Sequence, residues 1–87
     1  MWIVELAFGD NPDRLAARPA HRELLAAQHA AGSVRMAGPF ADDSGALLVL
    51  DLPDRKAVDD FLAEDPYYTT PGVIIRAIRE WTTVVGS

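Results

Sequence analysis

The sequence predicts an α+β fold whose six elements follow the order β-α-β-β-α-β. Two observations lead to this prediction. Segments of alternating apolar residues indicate strands, and runs of helix-forming residues with apolar positions at helical spacing separate them. Two split β-α-β units with right-handed crossovers interleave into a four-stranded antiparallel sheet with both helices on one face, the ferredoxin-like arrangement. We therefore expect a single domain over residues 1–87.

The first strand and the first helix have clear boundaries. Residues 2–8 alternate between two faces, Trp2-Val4-Leu6-Phe8 and Ile3-Glu5-Ala7. Turn-forming residues follow, and helix formers then extend from about Asp13 to Ala31, with Pro19 suited to the first helical turn. Gly32 is the expected stop. The apolar stripe predicted for this helix consists of Ala20, Leu24, Ala27 and Ala31, flanked by Leu25.

The second half of the chain supplies the remaining four elements. Strands are expected over residues 34–40 and 46–52, joined by a hairpin loop over residues 42–45. Asp54 is the predicted N-cap of the second helix, and Asp65-Pro66 ends that helix. Its buried face is expected to comprise Ala57, Val58, Phe61 and Leu62. The last strand runs from Val73 to about Val84, and the first strand lies between the third and the fourth.

Composition and charge narrow the range of functions. Eight Lys and Arg against thirteen Asp and Glu give a net charge of −5, which repels a phosphate backbone, so no nucleic-acid partner is expected. The chain has no cysteine, which excludes disulfides, thiolate catalysis and cysteine-based zinc sites. No apolar run approaches the roughly 20 residues of a membrane span, and no signal-like segment is present. We expect a cytoplasmic protein without a membrane partner.

Strand direction brings the polar candidates to one end of the predicted sheet. The first helix begins where the first strand ends, and the second strand and second helix end there too. His21 is expected to be exposed in the first helical turn, where the helix N-terminus disfavours a charged imidazole. A largely neutral His beside a carboxylate is the usual arrangement of a general base. The other residues assigned to this end include Asp10, Arg18, Ser44, Asp65 and Tyr67.

Simpler interpretations remain open for these residues. On the pattern alone, an ordinary surface position also explains His21, and the need to end a helix before a proline also explains Asp65. Asp10 lies in a turn, where Asp is common. If His21 is a base, either Asp65 or Asp10 can orient it. His29, near the end of the helix, is expected to be structural because a His there is favourable to the helix dipole.

The remaining sequence patterns indicate which classes of ligand to expect. Arg14, Arg18 and Arg22 are spaced by four and form either a solvated helix face or a cationic stripe that suits an anionic ligand. Tyr67 either forms the wall of a pocket for a planar ligand or packs within its loop. Two His eight residues apart do not give a metal-ligand spacing, and the glycines are isolated rather than gathered in a phosphate loop. No cofactor is therefore predicted.

An ordered set of short motifs resembles a known family. The motifs are Arg18-Pro19-Ala20-His21, Gly32, Ala37-Gly38-Pro39, Asp65-Pro66-Tyr67 and Gly72-Val73. At these spacings the set resembles the YciI-like (YCII-related) family, and the resemblance extends from Trp2 through the strand of Trp81. It implies a ferredoxin-like, dimeric α+β barrel, similar in architecture to muconolactone isomerases.

The resemblance also implies an active site. A His and an Asp are the proposed catalytic pair of the family, and by position they are His21 and Asp65 here, with Asp10 at the acidic position after the first strand. Some members are similar to lyases that remove a halide and a proton from a chlorinated aromatic. Ala46 stands where several members have Ser or Thr, and Ser44 lies nearby.

These observations favour a small cofactor-independent enzyme, a lyase or isomerase that transfers a proton on an anionic or aromatic metabolite. A binding or accessory module that holds a small molecule is the alternative, and a purely structural dimerisation domain is a third hypothesis. A homodimer is expected because Ala46–Leu50 is apolar on both faces, so the open face of the sheet needs a cover. The strand face with Glu5 is predicted to lie toward the partner.

Overall fold

The computed structural model describes residues 1–86 and confirms the predicted α+β architecture. The elements are β1 (Trp2–Phe8), α1 (Asp13–Ala31), β2 (Val34–Pro39), β3 (Gly45–Leu50), α2 (Arg55–Ala63), a 3₁₀ turn (Pro66–Thr69) and β4 (Val73–Glu80). The strands form one antiparallel sheet in the order β2-β3-β1-β4, which is the ferredoxin-like topology with β1 in the predicted place. Within residues 1–86, neither helix is long and apolar enough to cross a membrane.

The hydrophobic core lies on one face of the sheet, beneath both helices. It combines Val4 and Leu6 of β1 with Leu48 and Leu50 of β3, and it continues into Val58, Phe61 and Leu62 of α2. The alternate residues of β1, which are Ile3, Glu5 and Ala7, therefore point away from the helices. This is the orientation that the sequence predicts from the polar Glu5. The second helix has the predicted buried face, with Ala57 only half buried.

The residues predicted to end the first helix and to begin the second do so in the structure. Gly32 ends α1 in the left-handed conformation with φ 96°, which a residue without a Cβ adopts at little cost. Asp54 precedes α2, and its side chain accepts a hydrogen bond of 2.8 Å from the Ala57 amide. That bond satisfies one of the amides that the first turn of a helix leaves unpaired.

The predicted buried stripe of α1 is wrong. The residues assigned to it, Ala20, Leu24, Ala27 and Ala31, are all exposed. The inward positions are Ala17, His21 and Leu25, at spacings of four, and among them the histidine is the buried residue. The apolar pattern misleads because a polar side chain occupies the centre of the inward stripe. Pro19 lies inside the helix rather than in its first turn.

The last strand is shorter than predicted. It ends at Glu80 instead of near Val84 because Glu80 pairs with Trp2, the first residue of β1, and no strand extends farther. The chain continues with one backbone bond, from the Trp81 amide to the Met1 carbonyl. The first strand has the predicted boundaries, and those of β2 and β3 agree with the prediction to within two residues.

Candidate functional site

The site is built around His21 of α1 and Asp65, which follows α2. His21 Nδ1 lies 2.6 Å from Asp65 Oδ2, although 44 residues separate the two positions in the chain. Both residues are 7% exposed. Buried polar groups are stable only when they are paired, so each side chain replaces the water that the other has lost. The two candidates that the sequence assigns to one end of the sheet are therefore in direct contact.

The Asp65 carboxylate is held by two hydrogen bonds. Its Oδ2 contacts the His21 ring, and its Oδ1 accepts a bond of 2.9 Å from the Tyr67 amide. Asp65 thus caps the 3₁₀ turn that begins at Pro66, while the proline prevents α2 from continuing. Because both oxygens are hydrogen-bonded, the orientation of the carboxylate is fixed, with Oδ2 facing His21.

His21 is not the exposed first-turn residue that the sequence predicts. The helix begins at Asp13, so His21 lies about two turns from the N-terminus, where the helix dipole has little effect on an imidazole. Its environment is set instead by Asp65 and by two aromatic rings. A buried residue also contributes to stability, so its replacement affects folding more than the predicted surface position implies.

Two tyrosines of the 3₁₀ turn enclose the imidazole. The Tyr67 ring is stacked on it, with centroids 3.8 Å apart and planes at 6°. The Tyr68 ring meets it edge-on at 5.3 Å and 88°. These contacts fix the plane of the imidazole, and the bond to Asp65 fixes its rotation. Burial raises the pKa of the Tyr68 hydroxyl above its ordinary value of 10.0, and the Asp65 carboxylate raises it further.

The hydrogen bond between His21 and Asp65 assigns the tautomer of the ring. An ionised carboxylate only accepts hydrogen bonds, so Nδ1 of His21 must donate. In the neutral imidazole the proton then resides on Nδ1, and Nε2 retains a free lone pair. The second ring nitrogen of His21 is thus able to accept a proton.

A cavity of about 600 Å³ lies between α1 and the sheet, and His21 and Tyr67 form part of its wall. Its volume falls within the range of small-molecule sites. The sheet side of the wall is largely apolar, with Leu6, Phe8 and Leu48, and Arg35 of β2 adds one basic residue to it. The helix side carries basic residues, which are Arg14, Arg18, Arg22 and His29. The fold therefore provides a ligand-sized cleft, partly open to solvent, beside a histidine of defined tautomer.

Comparison with known proteins identifies the family of the chain. The family model of the YCII-related domain matches residues 2–82 of the 87-residue chain. The chain belongs to this family. The match covers every helix and strand, and it confirms the resemblance carried by the short motifs. No curated protein matches the chain.

The other predicted site residues divide into two groups in this YCII-related domain. Arg18 and Tyr67 line the cavity together with His21. Asp10 lies in the exposed turn after β1 and is not part of the cavity wall, so Asp65 is the carboxylate that contacts His21. Ser44 also lies outside the wall. Its amide and its hydroxyl both donate to Asp42 Oδ1, at 3.0 and 2.6 Å, within the hairpin loop.

Arg14 and His29 of the cavity wall make contacts that the sequence does not indicate. The Arg14 guanidinium lies 4.1 Å from the centre of the Phe8 ring, and its Nη2 lies 3.5 Å from Asp43 Oδ2. The four-residue spacing of the arginines marked Arg14, but nothing in the sequence indicates that a hairpin carboxylate meets it. His29 Nδ1 donates to the Val34 carbonyl at 2.8 Å, consistent with the structural role predicted for it, although it also lines the cavity.

Proposed function

We propose that this YCII-related domain is a cofactor-independent proton-transfer enzyme of the lyase or isomerase type, with His21 as its general base. One observation carries the proposal. The His21 ring borders the cavity while its Nδ1 is bonded to a buried carboxylate at 2.6 Å. This combination of an oriented imidazole and an adjacent ligand-sized space is what general base catalysis requires.

The proposed reaction begins when Nε2 of His21 takes a proton from a C–H or O–H group of a small organic molecule in the cavity. In a lyase, the electron pair of that bond forms a double bond and expels a leaving group with its electrons. In an isomerase, the protonated imidazole returns the proton to another atom of the substrate. Asp65 stabilises the imidazolium in both cases, as a buried carboxylate beside a catalytic His does.

Hydrogen–deuterium exchange tests this function without knowledge of the full reaction. Small organic acids and phenols are incubated with the protein in D₂O, and loss of a C–H signal is followed by proton NMR. We expect exchange with the wild-type protein and a rate lower by about 10²- to 10⁴-fold in His21→Asn. Asparagine retains a donor near the position of Nδ1 and removes the basic Nε2, so the hydrogen bond to Asp65 is kept.

Asp65→Asn tests the positioning role of the carboxylate. The amide presents its NH₂ group to His21 Nδ1, which favours the tautomer with the proton on Nε2, and we expect exchange to fall by about 10²-fold or more. Asp10→Asn is the matched control and is expected to exchange like the wild type, since Asp10 does not contact His21. Circular dichroism verifies that each variant is folded. Full exchange activity in a folded His21→Asn variant would contradict the proposal.

The alternative is a non-catalytic module that binds a small molecule in the same cavity. The basic wall formed by the α1 arginines favours it, because ligand attraction does not depend on His21. A module of this kind binds ligands without exchange, and His21→Asn leaves its ligand affinity unchanged. The exchange and binding measurements together separate the two functions.

We also propose that two chains form a homodimer through the open face of the sheet, the face opposite the helices. Met36 at the edge of that face is 65% exposed, and Ile74 on the other outer strand is 56% exposed. Leu47 of β3 lies between them in the sheet, and it pairs with Glu5 on the same face. Packing against a second copy of this sheet removes that apolar surface from water.

A further inference from the structure

The charge of the chain is distributed unevenly around the cavity. The protein has eight Lys and Arg residues, and four of the eight line this one cavity, namely Arg14, Arg18, Arg22 and Arg35. Of its thirteen acidic residues, only Asp43 belongs to the cavity wall. Clefts lined by one sign of charge concentrate ligands of the opposite sign. A protein with a net charge of −5 thus has a cationic binding cavity.

Two of these arginines are already engaged with acidic side chains. Arg14 lies 3.5 Å from Asp43 and stacks over Phe8, and Arg35 lies 3.7 Å from Asp51. Within residues 1–86, neither Arg18 nor Arg22 takes part in an ion pair. The unneutralised positive charge of the cavity is therefore concentrated at these two guanidinium groups.

Their position relative to His21 defines where an anion lies. Arg18 precedes His21 by three residues on α1, which is one helical turn, and Arg22 follows it directly. The opposite wall is apolar and is formed by Leu6, Phe8 and Leu48 of the central strands. The cavity thus offers Arg18 and Arg22 on the helix side and an apolar surface on the central strands of the sheet.

We infer that the ligand of this cavity is a small organic carboxylate, whose carboxylate is bound by Arg18 and Arg22 and whose apolar body packs against the sheet. Guanidinium groups bind carboxylates with two parallel hydrogen bonds, which orients as well as attracts the ligand. The inference rests on the proposed function for its reaction, because the carboxylate then lies beside the base. Charge that develops near that carboxylate on deprotonation is stabilised by the same arginines.

Matched probes test the charge requirement. We would titrate the wild-type protein with 3-phenylpropanoate and with 3-phenylpropanamide, which have the same shape and differ in charge, and follow binding by calorimetry and melting temperature. We expect saturable binding of the carboxylate, little binding of the amide, and weaker carboxylate binding as salt is added. Phenyl phosphate forms a separate arm, and its tighter binding would identify a phosphate site in place of a carboxylate site.

Arg18→Gln and Arg22→Gln test the assigned residues. Glutamine keeps a polar side chain and removes the charge, so we expect each variant to lose about tenfold to hundredfold in affinity for the carboxylate. Arg76→Gln is the matched control, because Arg76 is exposed on β4 and outside the cavity wall. It changes the net charge equally and is expected to bind within about twofold of the wild type.

The outcomes separate this inference from the proposed function. His21→Asn is expected to bind the carboxylate like the wild type, so loss of exchange with retained binding supports both proposals. Carboxylate binding with no exchange in the wild type supports the ligand class and rejects the enzyme. The inference is overturned if the amide binds as tightly as the carboxylate, if no carboxylate binding saturates, or if both glutamine variants retain wild-type affinity.

Discussion

At the scale of single residues, the hydroxyl of Tyr68 is an exception to the pairing of buried polar groups. It is buried without a hydrogen-bond partner among residues 1–86, while its ring packs against His21 and Phe61. An unpaired buried hydroxyl destabilises the folded protein, because it has exchanged water for apolar contacts. The packing of the Tyr68 ring therefore stabilises the fold, and the unpaired hydroxyl offsets part of that stabilisation.

Removal of that hydroxyl is therefore expected to stabilise the protein. Tyr68→Phe retains the ring contacts and should raise the free energy of unfolding by about 1 kcal/mol, measured by urea denaturation. Tyr67→Phe is the control, because it preserves the ring stacked on His21 and does not remove an unpaired buried group. A lower stability for Tyr68→Phe would show that its hydroxyl has a partner in solution.

The same hydroxyl predicts a dependence of stability on alkaline pH. Burial raises the pKa of Tyr68 above its ordinary value of 10.0, so above that pH the unfolded chain loses the proton while the folded protein keeps it. The unfolded state then binds fewer protons, and the free energy of unfolding decreases as pH rises. Below that pH both states are protonated and the effect is absent. Urea denaturation at about pH 8 and about pH 11 should show a smaller decrease in Tyr68→Phe than in the wild type.

How far the sequence defines the site is evident from His21. Its proximity to Asp65 could be predicted because the β-α-β-β-α-β topology brings the end of the second helix to the first helix. Its burial could not, since hydrophobic periodicity treats a histidine as an outward position. Only a partner 44 residues away makes that position favourable, and periodicity contains no information about such a partner.

At the scale of elements, the pairing of β1 with β3 depends on the glycine that opens β3. A Cβ on Gly45 would overlap the carbonyl oxygen of Leu6 and lie 3.2 Å from the Ala7 Cα, both in the backbone of β1. The strand cannot move away without loss of the ladder that runs from Trp2–Leu50 to Ala7–Gly45. The glycine therefore sets how closely the two central strands approach.

Gly45→Ala should consequently be destabilising, whereas Gly38→Ala should not be. We expect the first variant to lose roughly 1–3 kcal/mol of unfolding free energy, as overpacked positions do. Gly38 lies on the outer strand β2, and a Cβ there meets no atom within 4 Å, so its change should be within about 0.5 kcal/mol. Thermal and urea denaturation of both variants provide the measurement, and equal losses would contradict this account of β3.

The helices differ in how well the sequence predicts their orientation. The sequence predicts the buried face of α2 because its apolar residues Val58, Phe61 and Leu62 coincide with its inward face. It does not predict the inward face of α1, because Arg14, Arg18 and His21 border the cavity where a core helix carries apolar residues. A helix that forms a binding cavity departs from the amphipathic pattern, and that departure is itself a sign of function.

At the scale of the whole molecule, the two faces of the sheet have different surroundings. The order of the strands and the placement of both helices on one face follow from short right-handed connections, so the sequence predicts them. The cavity depends on the distance between α1 and the sheet, which is a matter of side-chain volume that no pattern in the sequence encodes. The open face carries exposed apolar residues around Glu5, and it leads to the last prediction.

The proposed dimer predicts that a charge on the open face dissociates the protein. Ile74 pairs with Ala7 on that face and is 56% exposed, so Ile74→Asp is compatible with folding of a single chain but leaves an unpaired charge in a sheet-to-sheet interface. Analytical ultracentrifugation at micromolar concentration should find a dimer for the wild type and a monomer for this variant.

The Leu24→Asp variant is the control and should remain dimeric, because Leu24 is 41% exposed on α1, away from the open face. Val49 lies on the same face but is only 8% exposed in the single chain, so Val49→Asp should prevent folding as well as association. A monomeric wild-type chain, or an Ile74→Asp dimer with unchanged melting, would exclude the proposed interface.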